Sequence, residues 1–244
     1  MSSGKSRLDV ALVERGLIES REKARRAIMA SQVLVDGHPS TKPGTLVAAD
    51  AEISLAAREK YVGRGGFKLE AALDAFAIDP AGRVCADVGA STGGFTDCLL
   101  QRGATLVHAL DVGHGQLDWR LRQDPRVVVR EGVNARYLKL EDCEPLPSLV
   151  VADVSFISLT LILPPAFALL DGQADMVVLI KPQFELSRAE VGRGGIVRDL
   201  EARDRAVEKI RTFVGSSGHR WLGCITSPIA GRDGNVEFLA HLRP

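Results

Sequence analysis

The stretch Asp87-Val88-Gly89-Ala90-Ser91-Thr92-Gly93-Gly94-Phe95-Thr96 decides how the rest of this 244-residue chain is organised. It includes the end of a short apolar run, Val84 to Val88, and it leads into Phe95, Cys98 and Leu99 at helical spacing. This pattern predicts a strand, a tight turn and the start of a helix. Glycine permits backbone conformations that a Cβ would block, and a helix N-terminus offers unpaired N–H groups. The turn is therefore suited to a polar ligand.

The ligand expected at this turn is a nucleotide-like cofactor. The second glycine of the dinucleotide pattern G-x-G-x-x-G is replaced by Ser91, and an acid, Asp87, stands at the end of the strand. A carboxylate there would repel a pyrophosphate but suits the ammonium or sulfonium of S-adenosylmethionine. The turn therefore favours a methyltransferase over a nucleotide dehydrogenase and over a strand, turn and helix that bind nothing.

The composition of the chain is that of a globular protein with a substantial core. Hydrophobic residues make up 45% and charged residues 25%, and the formal net charge is zero. The length allows one α/β domain and a second, smaller domain. Residues 1–64 hold 11 Lys or Arg against 8 Asp or Glu, whereas the remainder holds 20 against 23. The amino-terminal part is thus slightly basic.

Neither a metal site nor a membrane segment is expected. The cysteines, Cys85, Cys98, Cys143 and Cys224, lack C-x-x-C spacing, which argues against a zinc site and a disulfide framework and fits a reducing cytoplasm. The longest apolar region, 146–170, contains Asp153 and two adjacent prolines, so it is a poor membrane span. We expect a soluble cytoplasmic protein, and a monomer.

Residues 1–60 predict a compact module of two helices and a hairpin. The helices are expected at 7–16, ending at Gly16, and at 21–30, capped by Ser20. Extended segments follow at 33–35 and towards Leu46-Val47, with Asp36-Gly37 as the turn. The second helix carries a cluster of cations, namely Arg21, Lys23, Arg25 and Arg26. Such a cluster is either a solvated helix face or a surface that binds phosphates.

Strands and helices alternate in the rest of the chain. Glycine-rich residues 61–66 are predicted to be a linker to a domain at 67–244, which starts with a helix at Phe67. Strands are expected at 84–88, 106–110, 127–129, 150–153, 176–180, 221–226 and 236–239, and further helices near 159–170 and 200–214. This order predicts a mostly parallel, doubly wound α/β sheet with a ligand crevice at the strand carboxyl ends.

Several polar residues fall at those strand ends. Asp111, 22 residues after Gly89, can accept both ribose hydroxyls of an adenosine cofactor, and Asn134 is placed to meet the adenine. Asp153 and Lys181 follow two other strands, and Lys68 and Glu237 complete the candidates for an active centre. Each of these four could instead be an ordinary surface residue or a helix cap. Their joint position beside the cofactor turn favours catalysis.

Long motifs across the chain resemble known families. The runs Arg7-Leu-Asp-Val-Ala-Leu, Ser20-Arg-Glu-Lys-Ala-Arg-Arg-Ala-Ile and Val33-Leu-Val-Asp-Gly are similar to the S4-type RNA-binding module. The motifs similar to the TlyA family of rRNA cytidine 2′-O-methyltransferases, also labelled haemolysins, are Gly65-Gly-Phe-Lys68-Leu, the turn at 87–96, Asp111-Val-Gly-His-Gly-Gln-Leu, Ala152-Asp153-Val-Ser-Phe-Ile-Ser-Leu, Lys181-Pro-Gln-Phe-Glu and Gly234-Asn-Val-Glu237. The catalytic domain resembles FtsJ-type methyltransferases.

The resemblance implies a Rossmann-like class I methyltransferase fold behind an S4-like RNA-binding domain, with rRNA or ribosomal subunits as partner. It places the K-D-K-E catalytic tetrad on Lys68, Asp153, Lys181 and Glu237, with Lys181 as base. The implied S-adenosylmethionine contacts are Asp87, Gly89, Ser91, Thr92, Gly93, Gly94, Phe95, Thr96, Asp111, Val112, Asn134 and Asp153. The implied RNA contacts are Arg7, Arg21, Lys23, Arg25 and Arg26.

The alternatives to this function are a membrane-active haemolysin and a non-catalytic RNA-binding protein. A membrane-active haemolysin needs an inserting segment, which the sequence does not suggest. An RNA-binding protein with an inactive methyltransferase fold is disfavoured because all four tetrad positions are filled. Some TlyA members continue past the last strand with a helical tail and methylate both ribosomal subunits. Because this chain ends at Pro244, the resemblance suggests the large subunit alone.

Overall fold

The computed structural model describes residues 4–55 and 59–244, and the chain divides into two compact units between Lys60 and Tyr61. Residues 61–66, which the sequence predicts to be a linker, belong to the second unit. Tyr61 is buried in its core, and the first helix of the unit already starts at Gly65. A Cβ added to Gly66 would lie 2.2 Å from Cγ of Tyr61. The glycine there serves close packing and not chain flexibility.

The first unit contains two helices, α1 (Leu8–Glu14) and α2 (Arg21–Met29), as the sequence predicts. The Ser20 hydroxyl caps α2 by accepting a hydrogen bond from the Lys23 amide at 3.3 Å. The strands are β1 (Ser6–Arg7), β2 (Val33–Val35), β3 (His38–Pro39), β4 (Leu46–Val47) and β5 (Ile53–Leu55). β2 pairs with β3 and β5, whereas β4 pairs with β1 and not with the hairpin. A core of aliphatic side chains lies between the helices and strands.

A carboxylate is buried in this unit between two arginines. Asp9, on α1, is completely buried and accepts hydrogen bonds from Arg7 Nε at 2.9 Å and from Arg21 Nε at 3.0 Å. The hydrogen bond from Arg7, followed by that from Arg21, lowers the pKa of Asp9 to about 2 although burial opposes the shift. A buried charge is tolerated when it is paired in this way. Arg21, on α2, therefore links that helix to α1, while Arg7 pairs with Asp9 from the residue just before α1.

The second unit is built on a seven-stranded sheet. Its strands are β6 (Val84–Val88), β7 (Leu106–Asp111), β8 (Val127–Glu131), β9 (Leu149–Ala152), β10 (Asp175–Ile180), β11 (Arg220–Thr226) and β12 (Phe238–Arg243). The spatial order is β11-β12-β10-β9-β6-β7-β8; β8, β7, β6, β9 and β10 are parallel, and β12 is antiparallel to β10 and β11. The mostly parallel sheet is as predicted.

Helices cover both faces of this sheet. They are α3 (Gly65–Ala75), α4 (Gly94–Gln101), α5 (Trp119–Arg122), α6 (Leu163–Phe167), α7 (Pro182–Glu185) and α8 (Leu200–Ser216). Alternate residues of the central strands enter two apolar clusters, with Cys85 and Val107 in one and Ala86 and Val88 in the other. The strands are thus buried on both faces, which is why they read as continuous apolar runs.

Two predicted elements differ from the structure in length. The helix expected near 159–170 is a 3-10 turn, Leu159–Leu161, followed by the five-residue α6. Pro164 and Pro165 fit the first turn of α6 because its N–H groups need no helical partner. The last strand starts at Phe238 instead of residue 236, so Glu237 precedes it.

We expect Arg21→Ala to loosen the first unit, because it removes one of the two arginine partners of the Asp9 carboxylate. Amide exchange in 8–29, followed by mass spectrometry on the full chain, should accelerate by roughly tenfold. Arg25→Ala is the matched control, since Arg25 is exposed on the same helix and pairs with no carboxylate in the described ranges 4–55 and 59–244. Equal exchange in the two variants would show that Arg21 does not stabilise the unit.

Candidate active site

A cavity of about 880 Å³ opens at the carboxyl ends of the parallel strands. Asp111 ends β7, and Asp153 and Lys181 directly follow β9 and β10. Among the residues predicted to bind cofactor, those that line the cavity are Gly89, Ser91, Thr92, Gly94, Phe95, Asp111, Val112, Asn134 and Asp153. The four predicted catalytic residues line it too, namely Lys68, Asp153, Lys181 and Glu237. The sheet therefore brings nine of the twelve predicted cofactor contacts and all four predicted catalytic residues to one cavity.

The glycine turn is a tight turn, as the sequence suggests, and its glycines are required both by the backbone conformation and by close packing. Gly89 and Gly93 have φ of +86° and +98°, a region that L side chains rarely adopt. A Cβ on Gly89 would lie 2.5 Å from the Asp153 carbonyl oxygen, and one on Gly93 would lie 2.2 Å from Leu121 Cδ1. Because Gly89 and Gly93 lack a Cβ, the turn can pack directly against Asp153 and Leu121. This close packing forms the wall of the cavity.

Asp111 is held in a fixed orientation at the cavity wall. Its Oδ2 accepts a hydrogen bond from the Ser91 amide at 2.8 Å, and its Oδ1 accepts one from the Gly113 amide at 2.7 Å. Asn134 accepts from the Arg136 amide at 3.1 Å and caps a 3-10 turn that follows β8. The remaining lone pairs of the Asp111 carboxylate are available to hydroxyl groups in the cavity.

Asp87 lies behind the cavity wall and not on it, as do Gly93 and Thr96. Its Oδ2 accepts a hydrogen bond from Thr96 Oγ1 at 2.7 Å, whereas its Oδ1 is buried with no hydrogen-bond partner in the described part of the chain. Burial, together with the charges of Asp153 and Asp111, raises the pKa of Asp87 to about 7 against the hydrogen bonds from Thr96. An unsatisfied buried carboxylate oxygen favours a cationic neighbour.

The four catalytic candidates form two ion pairs. Lys68 Nζ lies 2.5 Å from Glu237 Oε2, and Lys181 Nζ lies 2.6 Å from Asp153 Oδ1. Lys181 also donates a hydrogen bond to Ser155 Oγ at 2.8 Å. The two lysine side chains are each 10% exposed. Two lysines and two carboxylates in one cavity can orient a hydroxyl group and exchange a proton with it.

Two family models match the chain. Residues 61–244 match the FtsJ-like methyltransferase family, and residues 6–53 match the S4 domain. The chain belongs to the FtsJ-like methyltransferase family. The methyltransferase fold and the amino-terminal S4 domain that the sequence predicts are confirmed by these matches.

Proteins similar over nearly the whole chain carry two kinds of name. A 16S/23S rRNA (cytidine-2'-O)-methyltransferase TlyA from Mycobacterium tuberculosis is 47% identical over 98% of this chain and 90% of its own length. Hemolysin A from Brachyspira hyodysenteriae is 44% identical over 96% of this chain and 98% of its own. The solved structure of a protein from Streptococcus thermophilus is 44% identical in sequence and matches with a TM-score of 0.75. The match covers 99% of this chain and 89% of the chain in that structure.

Within residues 4–55 and 59–244, no helix is long and apolar enough to cross a membrane.

Several further residues line the cavity that were not predicted from the sequence. Ser155 and Phe156 lie two and three residues after Asp153, and Phe156 is 90% exposed with φ of +63°. Gln183 lines the cavity with a buried Oε1 that has no hydrogen-bond partner in the described ranges. Arg232 lines it from the segment before β12. Ser155, Phe156 and Gln183 lie inside the quoted motifs and could have been found there, whereas nothing local marks Arg232.

The cations predicted to bind RNA lie in the first unit and are mostly paired with nearby acids. Arg7 and Arg21 bind Asp9, Lys23 pairs with Glu19, and Arg26 Nη2 lies 2.5 Å from Glu22 Oε1. The exposed side chain of Arg25 has no acidic partner in the parts of the chain that are described. The predicted cluster thus separates into arginines that stabilise the fold and cations on an exposed face.

We expect Asp87→Asn to flatten the pH dependence of stability. The folded-state pKa of Asp87, about 7, lies above the usual value near 4, so the folded chain keeps a proton that the unfolded chain loses. This contribution is fully present below about pH 4 and is lost as pH rises through 7, with a slope of at most about 1.4 kcal/mol per pH unit. Thermal unfolding of the two proteins between pH 4.5 and 7.5 measures the slope.

The control for this experiment is Asp171→Asn, which changes an exposed carboxylate of the same unit. It should leave the slope as in the unsubstituted protein. If Asp87→Asn did the same, the buried Asp87 would not be the group that titrates in this range.

Proposed function

We propose that this protein transfers a methyl group from S-adenosylmethionine to the 2′-hydroxyl of a cytidine ribose in rRNA. The observation that carries the proposal is the pair of lysine–carboxylate contacts, Lys181–Asp153 and Lys68–Glu237, in the cavity that also holds the glycine turn and Asp111. The relative from Mycobacterium tuberculosis, which is named as an rRNA (cytidine-2'-O)-methyltransferase, supports the proposal because it is 47% identical over 98% of this chain.

The residues around the cavity fit S-adenosylmethionine. Asp111 has two oxygens fixed by backbone amides and is proposed to accept the ribose hydroxyls, while the turn at 89–94 adjoins the amino-acid part. Oδ1 of Asp87, buried behind that turn, has no hydrogen-bond partner in the described residues, and a bound cation would favour the ionised form of this carboxyl group. Asn134 and Val112 line the region proposed for the adenine. When bound, this cofactor supplies an electrophilic methyl group on a sulfonium.

Lys181 is proposed to be the base. It would accept the hydroxyl proton while the ribose oxygen forms its bond to the methyl carbon and the sulfur keeps the electron pair of the broken bond. A lysine accepts a proton only in its neutral form. Asp153 lies 2.6 Å from the Lys181 amine and orients it.

Lys68 and Glu237 are proposed to position the substrate and not to transfer the proton. Lys68 comes from the first turns of α3, and Glu237 directly precedes β12, so their contact joins two distant parts of the second unit. Glu237 is 3% exposed, and a paired ammonium is the form in which Lys68 stabilises a developing negative oxygen.

The first unit is proposed to bind the rRNA through its S4 domain. Phosphate neutralisation by exposed Lys and Arg supplies affinity without reading sequence. Arg25 is the best placed of the predicted cations because its exposed side chain has no carboxylate partner in residues 4–55 and 59–244. An rRNA substrate would place the protein in the cytoplasm. The Mycobacterium tuberculosis relative is named for both 16S and 23S rRNA. Of these two, we propose that this protein methylates the rRNA of the large subunit.

Purified protein with labelled S-adenosylmethionine should methylate large ribosomal subunits at the 2′-hydroxyl of a cytidine, located by nuclease digestion and mass spectrometry. We expect Lys181→Arg to lower the transfer rate by about two to four orders of magnitude, because arginine keeps the charge but does not act as a base. Cofactor affinity should hardly change in this variant. Asp111→Ala is the complementary variant and should weaken cofactor binding in calorimetry.

Each part of the proposal fails on a different result. Methylation by Lys181→Arg at the unsubstituted rate would remove the base role, and unchanged affinity in Asp111→Ala would remove the cofactor placement. Cofactor binding without transfer to any subunit would leave a non-catalytic RNA-binding protein. Equal labelling of small subunits would refute the restriction to the large subunit.

We expect Arg25→Ala to weaken rRNA binding and to reduce the slope of log affinity against log salt by about one unit, as for one lost phosphate contact. Filter binding at several salt concentrations measures the slope. Glu52→Gln is the control on the same unit. It changes the net charge by one unit, as Arg25→Ala does, but in the positive direction. A slope that stays unchanged in Arg25→Ala would identify its helix face as merely solvated.

A further inference from the structure

Glu185 is a buried carboxylate that the proposed function does not use. It ends α7, four residues after Lys181, and is 5% exposed. Unlike the four catalytic candidates, it does not line the cavity. A buried charge is costly unless several donors satisfy it, so its contacts indicate what it holds in place.

The donors to Glu185 come from two other segments of the second unit. Ser158 Oγ donates to Oε2 at 2.5 Å, and the Leu159 amide donates to Oε1 at 2.8 Å. Lys209, on α8, donates to Oε2 at 3.3 Å and to the Glu185 carbonyl oxygen at 2.6 Å. One carboxylate thus joins the segment after β9, the segment after β10 and the helix α8.

The two loop segments that Glu185 joins are those that carry the catalytic cluster. Asp153 and Ser155 lie on the segment that ends at Ser158, and Lys181 begins the segment that ends at Glu185. The Lys181 contacts, 2.6 Å to Asp153 and 2.8 Å to Ser155, are made between these same two segments. The β9 to β10 ladder ends at the pair Ala152 and Val178. Beyond it, side chains join the two segments, and the Glu185 contacts act there together with those of Lys181 and the Phe156–Phe184 ring contact at 5.1 Å.

We propose that Glu185 is a positioning residue that fixes Lys181 against Asp153 and Ser155. This inference rests on the proposed function of the same site and assigns a residue outside the tetrad to it. Glu185→Gln replaces one Oε atom, an acceptor, with an NH₂ group, so that a donor then faces Ser158 or Lys209, which are themselves donors. The two segments then separate, and a displacement of about 1 Å at a reacting group costs on the order of 100-fold in rate.

The test compares Glu185→Gln with Glu190→Gln. Glu190 is a matched control because it also binds a cation of α8, Arg205 at 3.1 Å, but makes no contact with the segment that carries Asp153. In single-turnover methylation of large subunits, we expect a rate about 10- to 100-fold lower for Glu185→Gln, with cofactor affinity within about twofold. Glu190→Gln should retain the unsubstituted rate.

A double-mutant cycle separates positioning from loss of fold. In a Lys181→Ala background, Glu185→Gln should lower the residual rate by less than about twofold, because the group that it positions is already gone. An equal loss in both backgrounds would overturn the proposal. If Glu185→Gln does not fold, Ser158→Ala removes one donor from the same carboxylate and should show the same dependence on Lys181.

A measurement independent of activity keeps this inference separate from the proposed function. Brief acylation with acetic anhydride, read by mass spectrometry, should label Lys181 several-fold faster in Glu185→Gln than in Glu190→Gln, because its contacts with Asp153 and Ser155 are loosened. Unchanged labelling of Lys181 would refute the positioning role, whether or not the unsubstituted protein methylates rRNA. If Lys181 is labelled faster in Glu185→Gln but the unsubstituted protein methylates no rRNA, only the proposed function is refuted.

Discussion

The ion pair between Lys181 and Asp153 is the contact on which the site depends. Both side chains leave adjacent parallel strands at their carboxyl ends, and the 2.6 Å separation is possible because the ladder aligns Ala152 with Val178. A lysine that is only 10% exposed is tolerated when its charge is paired and its other protons are hydrogen-bonded, and Ser155 accepts such a bond from Lys181. The fold of the sheet and the geometry of the cavity are therefore linked through this pair.

The same rule organises the rest of the chain. Asp9 in the first unit is held by Arg7 and Arg21, and Glu185 in the second is held by three donors. Asp87 is the exception, because one of its oxygens is buried without a hydrogen-bond partner in the described residues. A carboxylate left in that state beside a cavity is expected where a cationic ligand completes the site.

The similar proteins bear the names of an rRNA methyltransferase and of a hemolysin, at 47% and 44% identity. Names alone do not choose between these activities, but the cavity bears on the choice. Two lysine–carboxylate pairs next to a glycine turn have a direct use in methyl transfer to a hydroxyl group. The same arrangement has no evident use in disrupting a bilayer, which requires apolar surface that enters the lipid.

The turn at 87–96 and the alternating strands could be predicted from the sequence, because glycine spacing and apolar runs are local signals. The four residues of the tetrad were proposed from the family resemblance, and the structure places them in one cavity. The interpretation of the sequence was incomplete where one local pattern can have two structural causes. The glycines at 61–66 suggested a flexible linker, although Gly66 is needed for contact with Tyr61, and the cations of α2 looked equivalent although Arg21 binds Asp9.

Three features follow from tertiary packing alone: the pairing of each lysine with its carboxylate, the place of Asp87 behind the cavity wall, and the contacts by which Glu185 joins the segments after β9 and β10. These contacts join residues as far apart as Lys68 and Glu237, 169 positions along the chain. No local pattern encodes such a contact, because it depends on strand order and on the direction in which each side chain leaves its strand or helix. The sequence supplied the chemical groups, and the packing of the sheet selected the partners.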